Sequence, residues 1–264
     1  MSKKYDGKYF YTFLILLIIT GCRKEYQNDV NVLAIEPQAE MITVPADYLA
    51  ISIESAGGLE NWGKIKQLEF DCLVTYYQSN GSFYLTEQHY NIYPWSNSIL
   101  ISGEEPQGRY IWQLSQGQFD ILENSEQISN PIVNIGNNCF AEAVLNIITI
   151  PARLIDNSVV FTRGNAPINV QGQLYYPVTR QIRNVNENPV NESDAVFYQD
   201  TNNYLVDMIW FVYQNEENFV LVRGYDYIKV KNNNVFIPSR IEIFKTDAQG
   251  ASKNKLVKIE ISST

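Results

Sequence analysis

The chain has 264 residues, 45% of them hydrophobic, 19% charged and 13% aromatic, which is enough apolar surface for one folded domain or at most two small ones. With 29 acidic against 20 basic residues the net charge is −9, which speaks against nucleic acid as a partner and against a global pull towards an anionic membrane surface. One histidine and three cysteines exclude His-rich metal sites and zinc sites built on paired CxxC motifs.

Lys3, Lys4 and Lys8 precede an apolar run over residues 9–19, followed by Thr20-Gly21-Cys22. A basic start, a short apolar core and small residues before a cut predict a secretory signal over residues 1–21. The run meets Arg23-Lys24-Glu25 well before the roughly 20 apolar residues that a spanning helix needs. Ile19-Thr20-Gly21-Cys22 resembles the bacterial lipobox, which implies diacylglycerol on the Cys22 thiol and cleavage just before it. Two or more acyl chains would then hold the protein firmly on a membrane. The mature chain would carry 17 basic and 28 acidic residues, a net charge of −11. Arg23 stands where an inner-membrane retention signal has Asp, so the resemblance implies an outer-membrane location in the cell envelope. Lys24-Glu25 is also weakly similar to the surface-export signal of Bacteroidetes lipoproteins.

Residues 22–45 are predicted to form the acylated cysteine and a flexible tether, with a root-mean-square span of about 25 Å. The folded domain is expected over residues 46–264. Residues 47–56 predict a helix, with Asp47 as N-cap, Tyr48, Ile51 and Ser55 on one side, Leu49 and Ile53 on the neighbouring one, and Gly57-Gly58 as C-cap. A short helical turn follows, presenting Leu59, Trp62 and Ile65. The pattern then changes to period two: Leu68, Phe70, Cys72, Val74 and Tyr76 alternate with more polar residues, up to a hairpin turn at Ser79-Asn80-Gly81-Ser82. Further strands are expected at 83–93, 98–102, 108–115 and 118–123. A helix over 139–148 should stop at Pro151. Strands resume at 174–184, 195–199, 203–213, 218–230, 235–245 and 255–262, where Pro238 marks an edge or a bulge. The sum is α+β and β-dominated: one antiparallel sheet with two or three helices.

The stretch from Glu54 to Cys72, ESAGGLENWGKIKQLEFDC, resembles the opening of the LolA/LolB-like lipoprotein-carrier superfamily, and more closely the Bacteroidetes outer-membrane lipoproteins of that fold. Residues 224–262 are similar to the same group's ending, with Trp210 and Tyr213 on the preceding strand. The resemblance implies an incomplete, strongly curved barrel, with helices over its concave side and an apolar cavity that holds acyl chains.

Phe70, Val74, Tyr76, Trp112, Trp210 and Ile241 are the candidates to line such a cavity, and the same residues would serve a solid core equally well. The expected ligand is an acyl chain, a lipid or a lipoprotein anchor, reached from a membrane to which Cys22 ties the chain. Pro94-Trp95 and Ile132-Val133 are candidates for a membrane-inserting loop. The alternative is a surface-exposed lipoprotein with a filled core, binding glycan or protein on aromatics such as Trp95 and Trp112. Catalysis finds little support. Glu87 and His89 share a strand face but make only two metal ligands, and a Ser-His-acid triad would have to use His89 without a nucleophile elbow. No cofactor, metal or catalytic residue is expected. Cys72 and Cys139 read as buried free thiols, with a disulfide between them as the alternative that the export context allows, and the sequence gives no oligomeric state.

Overall fold

The computed structural model describes residues 47–105, 108–124, 136–182, 195–212, 219–231, 233–248 and 250–263. Helix α1 (Asp47–Ser55) is followed by α2 (Leu59–Gly63). Asp47 is the first helical residue of α1 and not its cap, and its charge suits the positive end of the helix dipole. The inner side of α1 is Leu49, Ser52 and Ile53, while Ile51 is exposed. Gly58 N–H donates to Ile53 O (2.9 Å) and Gly57 N–H to Glu54 O (3.0 Å), the paired bonds of a Schellman cap. Gly57 has φ +113°, and a Cβ there would lie 2.1 Å from Asn234 O, so only glycine fits.

Five strands follow: β1 (Leu68–Tyr77), β2 (Phe83–Tyr93), β3 (Ser98–Glu105), β4 (Gly108–Ser115) and β5 (Gln118–Asn124). Next come helices α3 (Asn137–Ile148) and α4 (Ile150–Leu154). α3 ends at Ile148 as expected, but helical structure resumes at once, so Pro151 is not its end. It sits in the first turn of α4, where its missing N–H has no partner to lose. The remaining strands are β6 (Val159–Arg163), β7 (Ile168–Val170), β8 (Gln173–Ile182), β9 (Ala195–Asp200), β10 (Val206–Val212), β11 (Phe219–Lys229), β12 (Phe236–Thr246) and β13 (Ser252–Ser263).

All these strands join one antiparallel sheet in the order β5-β4-β3-β2-β1-β13-β12-β11-β10-β9-β8-β6, with β7 also on β8. Short turns give neighbouring strands a hairpin register, and the last strand closes on the first (Val74 opposite Ile259, Tyr76 opposite Val257). β5 and β6 stand at the two ends of the order, so the barrel is incomplete. Helix α3 touches β3 and β4 on one side of the order and β10, β11 and β12 on the other. Flat strands lie about 4.8 Å apart, so one helix reaches both groups only because the sheet curls around it. Four helices, against two or three expected, are described.

Two local departures have clear causes. β10 starts at Val206, three residues later than the pattern suggests, because Asp200 Oδ1 accepts the N–H groups of Asn202 (2.6 Å) and Asn203 (3.4 Å) and holds a turn there. Pro238 lies opposite Tyr227 but beyond Arg240, the last residue of β12 paired with β13, so on the β13 side its lack of an N–H costs no ladder bond. β6 and β7 escaped the sequence reading because they are one short edge strand broken at Gly164–Pro167.

Candidate functional site

Five of the six expected cavity residues meet on the concave face. Phe70, Val74, Tyr76, Trp112 and Ile241 are at most 4% exposed and belong to one apolar cluster with α3. They are packed solid. Phe70 stacks on Tyr90 with ring centres 5.6 Å apart, Trp112 on Tyr110 at 4.5 Å, and Tyr76 meets Phe140 of α3 at 5.9 Å. Eight residues of α3 are buried in this space, among them Phe140, Val144, Leu145 and Ile148.

The polar atoms around Gln88 in the core are paired, whereas Gln199 Oε1 and Asn137 Oδ1 are buried without a hydrogen-bond partner among the described residues. The Gln88 carboxamide donates to the hydroxyls of Tyr76 (2.8 Å) and Tyr110 (2.9 Å) and accepts from Tyr90 (2.5 Å). Gly103 makes room for this group, since a Cβ there would lie 2.2 Å from the Tyr110 hydroxyl. Burial pushes the Tyr90 phenol well above its ordinary pKa, so it stays a neutral donor.

Trp210 is elsewhere. A register shift between Val206 and Met208 breaks the alternation of β10, leaving Val206, Ile209 and Phe211 in the main core. Met208 belongs to a separate outer cluster with Tyr175 and Leu221, and Trp210 packs against it. Trp210 stacks on Phe219 at 5.5 Å and donates to Thr246 Oγ1 at 3.1 Å. Trp95 and Trp112 form no exposed platform either: Trp112 is buried, and half-buried Trp95 donates to Trp62 O at 3.2 Å. Cys22 and Ile132-Val133 lie outside the described residues.

A small pocket of about 70 Å³ opens between α3 and strands β8 to β10. Ala195, Phe197, Ile209 and Phe211 make an apolar floor, and Glu142, Asn146 and Arg180 bring polar groups to the lining. Its volume falls well short of the roughly 300–1,000 Å³ of a site for a whole small molecule. The sequence reading missed this pocket. Its members come from four segments that only the curl of the sheet brings together, although the alternation of Ala195, Phe197 and Gln199 did mark an inward face.

The outer face carries a second polar cluster. Arg223 donates to the Tyr175 hydroxyl (2.8 Å), Gln173 Oε1 (2.9 Å) and Gln171 Oε1 (3.0 Å), while Tyr175 reaches Asp207 Oδ2 at 3.4 Å. Gln173 in turn donates to Asp200. Burial is the main cause that pushes the Asp207 carboxyl up to about 7, with Arg223 opposing the shift and Asp200 adding to it. Asp207 Oδ1 and Arg223 Nε are buried without a hydrogen-bond partner.

His89 lies on an exposed strand face between Asp71 (Nδ1 to Oδ1, 2.8 Å) and Glu69 (Nε2 to Oε1, 3.5 Å). Among the described residues no three His, Cys, Asp or Glu side chains are placed to hold a metal ion. Cys72 and Cys139 are free and buried, and burial raises both thiol pKa values strongly.

No protein-family model and no curated protein sequence matches the chain. Similar solved structures include a LolA superfamily protein from Nitrosomonas europaea, 11% identical over 83% of this chain and 92% of that one, with a TM-score of 0.47. A DUF1329 family protein from Desulfovibrio piger is 8% identical over 81% of this chain and 90% of that one, at 0.44. A domain named for outer membrane lipoprotein sorting, from Vibrio parahaemolyticus, is 10% identical over 81% of this chain and 91% of that one, at 0.42. Identities this low say nothing of function, and the chain's own side chains must bear on what it binds.

Proposed function

We propose that this chain is a membrane-anchored binding protein of the cell envelope, held at the outer membrane by acylated Cys22, whose half-barrel takes an apolar ligand such as an acyl chain, a lipid or a lipoprotein anchor. The observation that carries the reading is the curled sheet itself. Its concave face is apolar, and helix α3 with the small pocket beside it occupies the hollow. A ligand longer than a few carbons enters this space by displacing α3. The helix suits that role at its N-terminal end: Gly136 gives it no side-chain cap, and no acidic residue stands in its first turn. The Ile19-Thr20-Gly21-Cys22 motif supports the anchor, and the tether supports a domain free to turn beside the bilayer.

A second reading, a surface lipoprotein with a filled core that binds glycan or protein, draws on the tight packing of Phe70, Val74, Tyr76, Trp112 and Ile241. One experiment separates the two. Chain carrying Cys22→Ser is purified under native conditions and weighed by mass spectrometry before and after organic extraction. Extractable lipid mass supports the first reading, and a bare mass with retardation on a polysaccharide gel supports the second. Palmitate labelling that survives Cys22→Ser would remove the anchor.

A further inference from the structure

The β7–β8 hairpin is fastened to a strand that is not its neighbour. β9 and β10 stand between β8 and β11 in the strand order, yet Arg223 of β11 bonds Gln171 at the hairpin turn, Gln173 and Tyr175. Asn169 Oδ1 closes the turn by accepting the Gly172 N–H at 2.9 Å. Tyr175, Met208 and Leu221 form the outer cluster and are at most 2% exposed. Val170 packs against this cluster from the hairpin, beside Tyr198, Trp210 and Phe244. The hairpin is thus a strap on the outer cluster, and Arg223 is its clasp.

Asp207 stands beside that clasp. The register shift in β10 turns both Asp207 and Met208 towards Tyr175, whose hydroxyl lies 3.4 Å from Asp207 Oδ2 and 2.8 Å from Arg223 Nη2. One hydroxyl therefore separates carboxyl from guanidinium. The three oxygens that bond Arg223 are uncharged, while its Nε–H and Asp207 Oδ1, a donor and an acceptor, are both buried without a partner. This arrangement suits a neutral Asp207. A carboxylate would draw the guanidinium to itself, because a charge-assisted hydrogen bond is roughly twice as strong as a neutral one. Burial places the Asp207 carboxyl at about 7, against the pull of Arg223 and with the charge of Asp200. The other charged groups nearby are committed. Asp200 of β9 accepts from Gln173, Asn202 and Asn203. Arg240 of β12 bonds Asp226 at 3.0 Å, and Glu242 of β12 takes Lys255 at 2.7 Å. Burial raises the phenols of Tyr175, Tyr225 and Tyr227, which stay neutral throughout.

We propose that the β7–β8 hairpin is a pH-operated strap: Arg223 holds it shut while Asp207 is protonated, and releases Gln171 and Gln173 when Asp207 ionises and takes the guanidinium. The open strap lifts Val170 off Tyr175, Met208 and Leu221, an apolar surface that the closed form hides. None of this depends on what the half-barrel binds.

The test is oxidation of Met208 by hydrogen peroxide, read by peptide mass spectrometry on the full chain and scaled to free methionine in the same tube. Met208 is 0% exposed, so its sulfoxide reports opening. The rate should rise about tenfold from about pH 5.5 to about pH 8.5, the scale of one charge-assisted hydrogen bond. Asp207→Asn should keep the rate low at both ends of that range. Gln171→Ala, a change at the exposed turn, should raise it at the lower end. Cys72 and Cys139, followed with a thiol reagent scaled to free cysteine, should stay silent while Met208 reacts. Thiols that kept pace with Met208 would mean unfolding of the whole domain and would overturn the strap. A parent rate that does not change with pH, or a rise that survives Asp207→Asn, would overturn it as well.

Discussion

The ring of Phe140 lies 5.9 Å from that of Tyr76 at an interplanar angle of 53°, and this contact ties α3 to the first strand of the sheet. The Tyr76 hydroxyl is also one of those held by Gln88. The helix that fills the hollow thus rests on the ring of a residue whose other end is fixed by hydrogen bonds.

Phe140→Ala should therefore loosen α3 first. Phe140 is 0% exposed, and loss of a buried aromatic ring costs about 3–5 kcal/mol. Urea denaturation should show a lowered midpoint, together with increased binding of an apolar dye in the native range. An unchanged midpoint and no extra dye would mean that α3 is held by its other contacts and that Phe140 is no fastening.

Gln88→Leu tests the polar group of the core. The substitution keeps the volume roughly constant but strips partners from Tyr76, Tyr90 and Tyr110. A buried hydroxyl that loses its acceptor, as that of Tyr90 does here, costs about 1–3 kcal/mol. Gln88→Leu should thus be clearly more destabilising than Tyr76→Phe, which removes one hydroxyl and leaves the carboxamide with two tyrosines. Equal losses in thermal denaturation would show that the carboxamide is not the hub.

How much of this was open to a reader of the sequence differs from one feature to the next. Gly57-Gly58 announced a helix end, because only residues free to take positive φ end a helix that way. The alternation from Leu68 to Tyr76 likewise gave a strand with one buried face, since side chains alternate strictly along a regular strand. Trp210 was misplaced because a single irregularity at Asp207 reverses the faces on its two sides, and nothing in Val206-Asp207-Met208 declares it. Arg180 and Glu142 could not be paired with the pocket at all. They lie on a strand and a helix that meet only once the sheet has curled. Whether the hollow is filled was also hidden, because a packed centre and a cavity wall use the same residue types.

The Asp207 carboxyl gives stability a pH dependence of known sign. Its folded-state pKa of about 7 lies above the value of about 3.9 expected in the unfolded chain. Between these two values the folded form holds more protons, so its stability falls as pH rises. The contribution is fully present below about pH 4 and is lost as pH climbs through about 7. Asp207→Asn cannot ionise and should flatten this fall, giving a variant that is more stable than the parent above neutrality. Urea midpoints measured across the range would check it. A parent whose stability rose between those values in step with the variant would contradict the placement of Asp207 among Tyr175, Asp200 and Arg223.

The thiols link the fold to the anchor in one measurement. Cys72 and Cys139 are each 1% exposed and unpaired, and burial disfavours the reactive thiolate. Neither should react with a thiol reagent in the native protein. In denaturant both should become reactive. Cys22, if acylated, is a thioether and stays silent in either condition, so mature protein from membranes should titrate as two thiols and unprocessed chain as three. A third thiol in the mature protein would rule out the lipid anchor while leaving the fold untouched. Reaction of Cys72 or Cys139 without denaturant would instead show that the space between α3 and the sheet opens in the absence of ligand, and the rate of that reaction would time the opening.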